Sequence, residues 1–425
     1  MRFGFGSGAL GAALSFGAVP VLFLYYLTEF AHVPPALAGA LLAAPKLVDL
    51  LMDPWIGRRS DALARRLGSR GGLLAIGTLA LPTLLVLLFL PMSALALPLR
   101  VGLLGLLLVV QSLSSTVFSV AHTAIASDIA DGIEGRSALM SARAMGQTLA
   151  GLLVSVAAPQ LLAVFSASHG GYVGMAVVLG AASLVAMTLC WLVVRCVPLA
   201  AGVEQGAAPP MLRALRSSLR NKAFYCIALI LVLLGASSTA LLSGLPYANQ
   251  HLLQAGPENL SALLTPLFVT VLVGIAVAPS LARRMSPTAL LAASLLLALA
   301  GMACIALGPR GNAAIAFGTA LFGLASGALT VMISTLAIES STRFSGEGES
   351  LGLYLGILFS AEKLGQSLGG FVVGLGLDWV GPLETGAAPA LHRLEILWVA
   401  TPVAGLLAAL LLLLPLASRW RSLAN

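Results

Sequence analysis

The stretch from Lys46 to Arg70 reads KLVDLLMDPWIGRRSDALARRLGSR. Its first half lies in an apolar run that is long enough to cross a membrane, yet it carries Lys46, Asp49 and Asp53. At about 100° per residue, positions i, i+3 and i+7 fall within roughly 60° of one another on a helix. These three ionisable side chains therefore share one stripe of a membrane helix.

Ionisable side chains at membrane depth are costly, and they normally face a helix-bundle interior or a water-filled path. Two carboxylates and one ammonium leave the stripe with a net charge of −1, one cation short of neutral. The stripe predicts a binding place for a coupling H⁺ or Na⁺ at Asp49 and Asp53, with Lys46 in the surrounding charge network and no other metal. The alternative interpretation is a structural ion pair that holds helices together.

The composition predicts an all-α integral membrane protein. The chain has 425 residues, of which 59% are hydrophobic and only 9% charged, so most of its surface requires lipid as solvent. Aromatic residues are 6%, and the basic residues are almost all arginines confined to particular segments, which argues against a nucleic-acid partner. The four cysteines show no spacing typical of a metal site.

With about 20 residues per membrane crossing, the sequence predicts twelve transmembrane helices. A polar break with a Pro-Pro pair divides them into an N-terminal six-helix half at 1–196, a cytoplasmic linker at 197–222 and a C-terminal six-helix half at 223–425. The predicted spans are 3–28, 35–56, 73–91, 101–125, 142–165, 172–194, 223–247, 260–281, 288–307, 312–338, 350–376 and 394–416.

The basic residues orient the predicted protein. If the N-terminus is cytoplasmic, 18 of the 23 Lys and Arg residues fall on the inside, 3 fall outside, and Lys46 and Lys363 lie within spans. The positive-inside rule therefore predicts that both termini are cytoplasmic. The Ala, Leu and Arg richness favours a bacterial inner membrane. We expect a monomer whose partners are the lipid bilayer and a small-molecule substrate.

The motif order in the opening stretch is Lys-x-x-Asp-x-x-x-Asp-Pro-x-x-Gly, followed by Ser60-Asp61 and an arginine-rich loop with Gly68 and Arg70. Upstream, residues 25–29 read Tyr-Tyr-Leu-Thr-Glu. These motifs resemble the glycoside–pentoside–hexuronide:cation symporter family, the melibiose-carrier branch of the major facilitator superfamily. The resemblance implies the major facilitator fold and cation-coupled transport of a small organic solute by alternating access, with no cofactor.

The resemblance also implies roles for further residues. Thr116 matches a hydroxyl that completes the cation site with the two aspartates, and its alternative role is a hydrogen bond back to the preceding turn of its own helix. Lys363, in the middle of helix 11, matches a lysine that lies across the cavity from these carboxylates and contributes to the charge network and to substrate binding. Arg143 matches an arginine at the sugar cavity, and its alternative role is that of an interfacial arginine. Ser119 stands where the melibiose carrier has an acidic residue, which makes a galactoside doubtful.

Two further groups of residues allow more than one interpretation. His122 lies on the polar stripe of helix 4 and is either a protonatable, substrate-binding residue or a packing histidine. The loop after helix 2 is predicted to act as an ion-paired gate, and the alternative is that its charges only set the topology. The residues of this predicted gating loop are Gly57, Asp61, Arg65 and Arg66.

The leading hypothesis is a cation-coupled secondary transporter of a sugar-like or amphipathic solute. The alternatives are a carrier of lysolipids or amphipathic metabolites, and a non-transporting membrane partner with the same fold. An enzyme is not expected, because the sequence shows no nucleophile–base pair or phosphate-binding loop outside the predicted spans. The identity of the substrate, the choice between H⁺ and Na⁺ and the direction of transport stay open.

Overall fold

The structure, a computed structural model, describes residues 2–129, 132–165, 169–198, 219, 221–308, 311–344, 351–383 and 387–421. These residues form helices and turns, and none of them lies in a β-strand. The predicted linker at 197–222 falls almost entirely outside them. The side chains of Asp53, Asp61 and Arg65 are also outside the described set.

Twelve α-helices run through the described residues in chain order. They are α1 Arg2–Gly17, α2 Pro35–Leu67, α3 Gly71–Leu88, α4 Leu97–Ile129, α5 Gly132–Val164, α6 His169–Val194, α7 Lys222–Tyr247, α8 Asn259–Ala282, α9 Pro287–Leu307, α10 Asn312–Phe344, α11 Leu351–Val380 and α12 Ala388–Arg421. Each overlaps one of the predicted spans, so the all-α helical class is confirmed.

Ten stretches among the described residues are long and apolar enough to cross a membrane. The two helices that hold none of these stretches are α2 and α11. They carry the charged pairs Lys46 and Asp49, and Glu362 and Lys363, in the middle of their lengths.

Helix α2 is longer than the sequence analysis predicted. It starts at Pro35, a favoured first helical residue, and continues to Leu67. It ends where Gly68 adopts the left-handed conformation with φ 71°, as glycine after a helix commonly does. The basic residues after the apolar run therefore extend the helix, and the prediction of a loop from residue 57 onward was wrong.

The chain divides into two compact units. The N-terminal unit comprises Met1–Glu204 and Gly256–Ser261, and the C-terminal unit comprises Gln205–Ala255 and Ala262–Asn425.

In the N-terminal unit, α1 packs against α5 and α6, α4 packs against α2 and α3, and α3 also packs against α6. A core of fully or almost fully buried side chains joins α1, α3, α4 and α6, among them Phe5, Leu74, Phe118 and Met187. The crossing of α1 and α5 is close, because a Cβ on Gly146 would collide with the carbonyl oxygen of Gly6.

In the C-terminal unit, α7 packs against α11 and α12, and α10 packs against α9. Its α7–α11 crossing uses the same device, since a Cβ on Gly365 would collide with the carbonyl oxygen of Val232. The two crossings also share sequence. Residues 141–154 read SARAMGQTLAGLLV and residues 360–373 read SAEKLGQSLGGFVV, with seven identities, so α5 and α11 are copies of one internal repeat.

The helical segments that continue α1 and α7 end in π-helical turns, at Tyr26–Phe30 and at Ala248–Leu252, and the segment after α1 contains a further π-helical turn at Val19–Phe23. The N–H groups of Ala31 and Leu253 close the two terminal turns on carbonyls five residues earlier. Each terminal turn is followed by a non-glycine residue with positive φ, His32 at 49° and Gln254 at 51°. The two units thus repeat one helix ending at a spacing of 222 residues.

Candidate cation and substrate site

The Asp49 carboxylate lies buried between α2 and α4, with 2% of the residue exposed. Ser112 Oγ on α4 donates a hydrogen bond to Asp49 Oδ2 at 2.6 Å, and Ser112 is itself buried. A hydroxyl hydrogen bond of this length to a carboxylate belongs to the strong, charge-assisted class. The predicted cation site thus has a carboxylate oxygen and a hydroxyl oxygen in direct contact.

Helices α2 and α4 run side by side in the same direction along this contact. Leu41 on α2 lies 3.1 Å from the point where a Cβ on Gly105 of α4 would stand, and Asp49 meets Ser112 further along both helices. One more turn, about 6 Å along each axis, leads to position 53 on α2 and to Thr116 on α4. Thr116 is buried, and the helix register places it at the level of position 53.

Lys46 lies one turn before Asp49 on α2. It is partly buried, and its Nζ stands 5.8 Å from the centroid of the Phe16 ring at the end of α1, within the range of a cation–π contact. The ammonium therefore reaches the α1 side of the unit, on the same helix as the Asp49 carboxylate.

The predicted substrate residues Ser119 and Arg143 are brought together by Thr123. Arg143 Nη1 on α5 donates to Thr123 Oγ1 on α4 at 2.6 Å, and Thr123 Oγ1 donates to the carbonyl oxygen of Ser119 at 2.7 Å. Arg143 is partly buried, so this contact fixes the guanidinium at the α4–α5 interface. Ser119 is also partly buried.

His122 is enclosed by α1 and its own helix. Its ring stacks on Phe5 with centroids 4.1 Å apart and on Phe118 at 5.4 Å. Its Nε2 lies 2.9 Å from the carbonyl oxygen of Phe5, which can only accept, so Nε2 donates. With 1% of the residue exposed, this environment fits the packing alternative, and a substrate role for His122 stays a prediction.

The four residues of the predicted gating loop lie on the last turns of α2. Arg66 is exposed, while the side chains of Gly57, Asp61 and Arg65 fall outside the described residues, so the gating role stays a prediction.

An ion pair that the sequence analysis missed lies next to this segment: Arg70 Nε and Asp128 Oδ2 are 3.0 Å apart, with side-chain exposures of 9% and 4%. The sequence feature that could have predicted this ion pair is the placement of opposite charges at the start of α3 and at the end of α4.

Lys363 belongs to the C-terminal unit, where it is partly buried on α11 next to the exposed Glu362. Gln366 Nε2 donates to Glu362 Oε1 at 3.4 Å, one turn along the same helix. The proposed position of Lys363 across from the aspartates stays a prediction.

Sequence comparison decides the family. Residues 4–417 match the family described as MFS/sugar transport protein, which covers almost the whole chain. The chain belongs to this family. The resemblance to the melibiose-carrier branch is thereby confirmed. The matched family and the structural neighbours are membrane transporters, which also confirms the prediction that the protein is not an enzyme.

Two relatives of this MFS/sugar transport protein are named as symporters. The uncharacterized symporter sll1374 of Synechocystis sp. is 36% identical over 69 residues, which are 16% of this chain and 13% of the relative. The uncharacterized symporter YjmB of Bacillus subtilis is 26% identical over 180 residues, or 40% of this chain and 38% of the relative. Both matches span less than two thirds of the relative's own length.

Solved structures of two transporters share the fold. A bacterial homolog of the human lysosomal transporter Spinster, in an inward-facing and unoccupied conformation, gives a TM-score of 0.74 at 15% identity, covering 98% of this chain and 95% of its own. A variant of the nucleoside transporter NupG gives 0.72 at 13% identity, covering 97% and 99%. The predicted major facilitator fold is therefore confirmed.

Proposed function

We propose that this MFS/sugar transport protein is a cation-coupled secondary transporter that moves a small organic solute by alternating access. The observation that supports this most directly is the buried Asp49 carboxylate in contact with Ser112, inside a pair of membrane helices. The cation site consists of Asp49, Asp53 and Thr116, with Lys46 and Lys363 in the charge network around it.

The coupling follows from the cost of enclosing charge. Transferring an ionised carboxylate from water into a low-dielectric interior costs several kcal/mol even after the protein relaxes. A bound H⁺ or Na⁺ removes the excess negative charge of the stripe, so the helices can close around a neutral site. Coupling requires in addition that the closed state forms only when the solute site is filled as well, so that solute and cation cross together.

We further propose that the solute contacts α4 and α5 near Ser119 and Arg143. The Arg143 guanidinium is held in place by Thr123, so it can present its remaining N–H groups without losing side-chain freedom on binding. Guanidinium and hydroxyl groups suit the oxygens of a sugar-like solute, in agreement with the family's description as sugar transport proteins. Lys363 would add a second positive group for an anionic or strongly polar solute.

The protein is proposed to act as a monomer in a bacterial inner membrane, with both termini in the cytoplasm and no cofactor. The asymmetric distribution of Arg and Lys supports this orientation. The end of α2, with Gly57, Asp61, Arg65 and Arg66, would lie on the cytoplasmic side as part of the gate.

The test is gradient-driven uptake into vesicles that contain the purified protein. Labelled pentosides, hexosides, hexuronates and a lysophospholipid are offered with an inward Na⁺ or H⁺ gradient. We expect accumulation of one solute class that ends when the gradient is dissipated and that Asp49→Asn and Asp53→Asn abolish. Asp378→Asn, which removes an exposed carboxylate near the end of α11, is the matched control and should transport normally.

The outcomes separate the alternatives. Uptake of the lysophospholipid in place of the sugars would identify the carrier of amphipathic metabolites. Full gradient-driven uptake in both aspartate variants would refute the proposed mechanism. Absence of uptake for every solute class, together with no ion-dependent stability, would favour the non-transporting membrane partner.

A further inference from the structure

We propose that Ser112 determines which cation the site accepts, by supplying the hydroxyl oxygen that allows an alkali ion such as Na⁺ to bind beside Asp49. This inference rests on the proposed cation coupling and adds a specificity-determining residue to it. It starts from the contact of Ser112 Oγ with Asp49 Oδ2 at 2.6 Å, between two residues that are 4% and 2% exposed.

The hydrogen bond of Ser112 differs from those of its neighbours on α4. Serine and threonine hydroxyls inside helices commonly bond back to the preceding turn. Ser114 Oγ does so with the carbonyl oxygen of Val110, and Thr123 Oγ1 does so with that of Ser119. The Ser112 hydroxyl instead bonds across the helix interface to a carboxylate, so its oxygen stands next to the charge that a cation would neutralise.

A hydroxyl can serve this site in two orientations, because it carries one donor hydrogen and two acceptor lone pairs. Without a cation, Ser112 donates its hydrogen to Asp49. With a cation between the two oxygens, the hydroxyl rotates its hydrogen away and directs a lone pair at the ion. The exchange needs only rotation about one bond and no movement of the helices.

The distinction between cations follows from what each one requires. A proton binds to a single carboxylate oxygen and needs no further ligand. A hard metal cation prefers several oxygen ligands held at short distances. Ser112 adds one such oxygen at the level of Asp49, and the buried Thr116 adds a second one turn further on. Removal of the Ser112 oxygen should therefore weaken Na⁺ binding and leave proton binding possible.

The experiment measures the thermal unfolding temperature of the purified full-length protein as Na⁺ replaces choline at constant ionic strength, and separately as the pH is varied. A cation that binds only the folded protein raises this temperature in a concentration-dependent way. We compare wild type with Ser112→Ala and with Ser112→Cys, which keeps the side-chain shape but replaces the hard oxygen by sulfur. Ser112→Thr retains the hydroxyl.

We expect the Na⁺ concentration for half-maximal stabilisation to be at least about tenfold higher in Ser112→Ala and Ser112→Cys than in wild type. An effect of this size is expected when one polar contact to a charged group is lost. Ser112→Thr should respond like wild type. Ser114→Ala is the matched control, since it removes a hydroxyl from the same helix that bonds within that helix, and its Na⁺ response should be unchanged.

Three results would overturn the inference. One is an equal Na⁺ response in Ser112→Ala and Ser114→Ala. Another is a wild-type protein whose unfolding temperature does not respond to Na⁺ but varies with pH, provided that the pH response requires Asp49. This result would leave proton coupling, and hence the proposed function, intact. The third is an absence of both responses in wild type, which would remove the cation site and the proposed function together.

Discussion

The N-terminal and C-terminal units share a helical frame but differ in where they carry charge. Both cross their first and fifth helices through glycines, at Gly146 and at Gly365. The second helices differ sharply. α2 carries Lys46 and Asp49, whereas α8, residues 259–282, contains no Asp, Glu, Lys or Arg. Close helix packing requires the same small residues in both units, while the proposed cation site requires charged residues in only one of them.

The repeat in α5 and α11 shows the same separation at the level of single residues. Arg143 and Glu362 occupy equivalent positions, and so do the glutamines Gln147 and Gln366. The glycines that permit close approach are retained, while the charge just before them changes sign. The residues that set the helix packing are thus repeated in both units, while the charged residues differ between them.

The largest effect on stability is expected at the ends of the fourth helices. Asp128 near the end of α4 pairs with Arg70 at the start of α3, whereas near the end of α10 the backbone carbonyl of Ser340 accepts a neutral hydrogen bond from Asn221 Nδ2 at 3.0 Å. Removing Arg70 takes a charge-assisted hydrogen bond away from a carboxylate that is only 4% exposed. Arg70→Ala should therefore lower the free energy of unfolding by about 3–5 kcal/mol, measured by denaturant unfolding in detergent.

Two variants serve as controls for this ion pair. Arg195→Ala removes an exposed guanidinium that stacks on Trp191 and should cost less than about 1 kcal/mol. The double replacement of Arg70 and Asp128 by leucine should be less harmful than Arg70→Ala, since both charges of the buried pair are replaced by apolar side chains. Equal losses in Arg70→Ala and Arg195→Ala would show that the buried pair does not distinguish the units.

Hydropathy predicted where the helices lie but not where each of them ends. Among the described residues, apolar stretches of membrane length mark ten of the helices, because crossing a bilayer requires them. The other two, α2 and α11, were predicted although charged residues interrupt their apolar sequence. The end of α2 was mispredicted because charged residues mark the exit from the bilayer and are still good helix formers. The helix ends at Gly68 with its positive φ, a signal the sequence contained.

The site was predictable only in part. Asp49 followed from the cost of charge in a membrane, and its burial agrees with that argument. The choice of Ser112 as its hydrogen-bond partner depends on the rotation of α4 about its axis, which hydroxyls spaced along an apolar helix do not determine. The same rotation turns His122 toward Phe5 on α1.

The next effect concerns the shared crossing itself. Gly146→Ala and Gly365→Ala each place a methyl group against a backbone carbonyl, so each should lower the free energy of unfolding by about 1–3 kcal/mol. Gly102→Ala on α4 and Gly356→Ala on α11 are the controls, because a Cβ at either position meets nothing within 4 Å. These should be neutral or stabilising by up to about 1 kcal/mol, the helix preference of alanine over glycine.

The comparison of crossings would fail if only one of the two repeat glycines proved sensitive. That result would mean that the helices of one unit can move apart to accept the methyl group. The repeated sequence would then not imply equally close helix packing in the two units. Thermal unfolding curves of the four variants, recorded in the same detergent, decide the matter.

A smaller effect is expected at the start of α7. Asn221 Oδ1 accepts from the Phe224 N–H at 3.0 Å and caps the helix, while Nδ2 reaches Ser340 on α10. Asn221→Ala removes both bonds and should cost about 1–2 kcal/mol. Ser286→Ala removes a cap at the start of α9, together with an exposed 3.5 Å contact with Thr288 Oγ1, and should cost about half as much. A larger loss in Ser286→Ala would show that the Asn221–Ser340 contact adds nothing.

The smallest effect tests the repeated helix ending after α1 and α7. His32 and Gln254 hold positive φ values of 49° and 51°, which glycine adopts without steric cost. His32→Gly and Gln254→Gly should each raise the free energy of unfolding by less than about 1 kcal/mol, because relief of backbone strain slightly exceeds the added freedom of the unfolded chain. The valine variants should lower it, since a β-branched residue tolerates this region poorly.

Both positions should respond with the same sign, because Val33 and Ala255, the residues that follow them, donate to carbonyls six residues back in the same pattern. Opposite signs would mean that the two endings share hydrogen bonds but not strain, and the internal repeat would then hold for the backbone path alone.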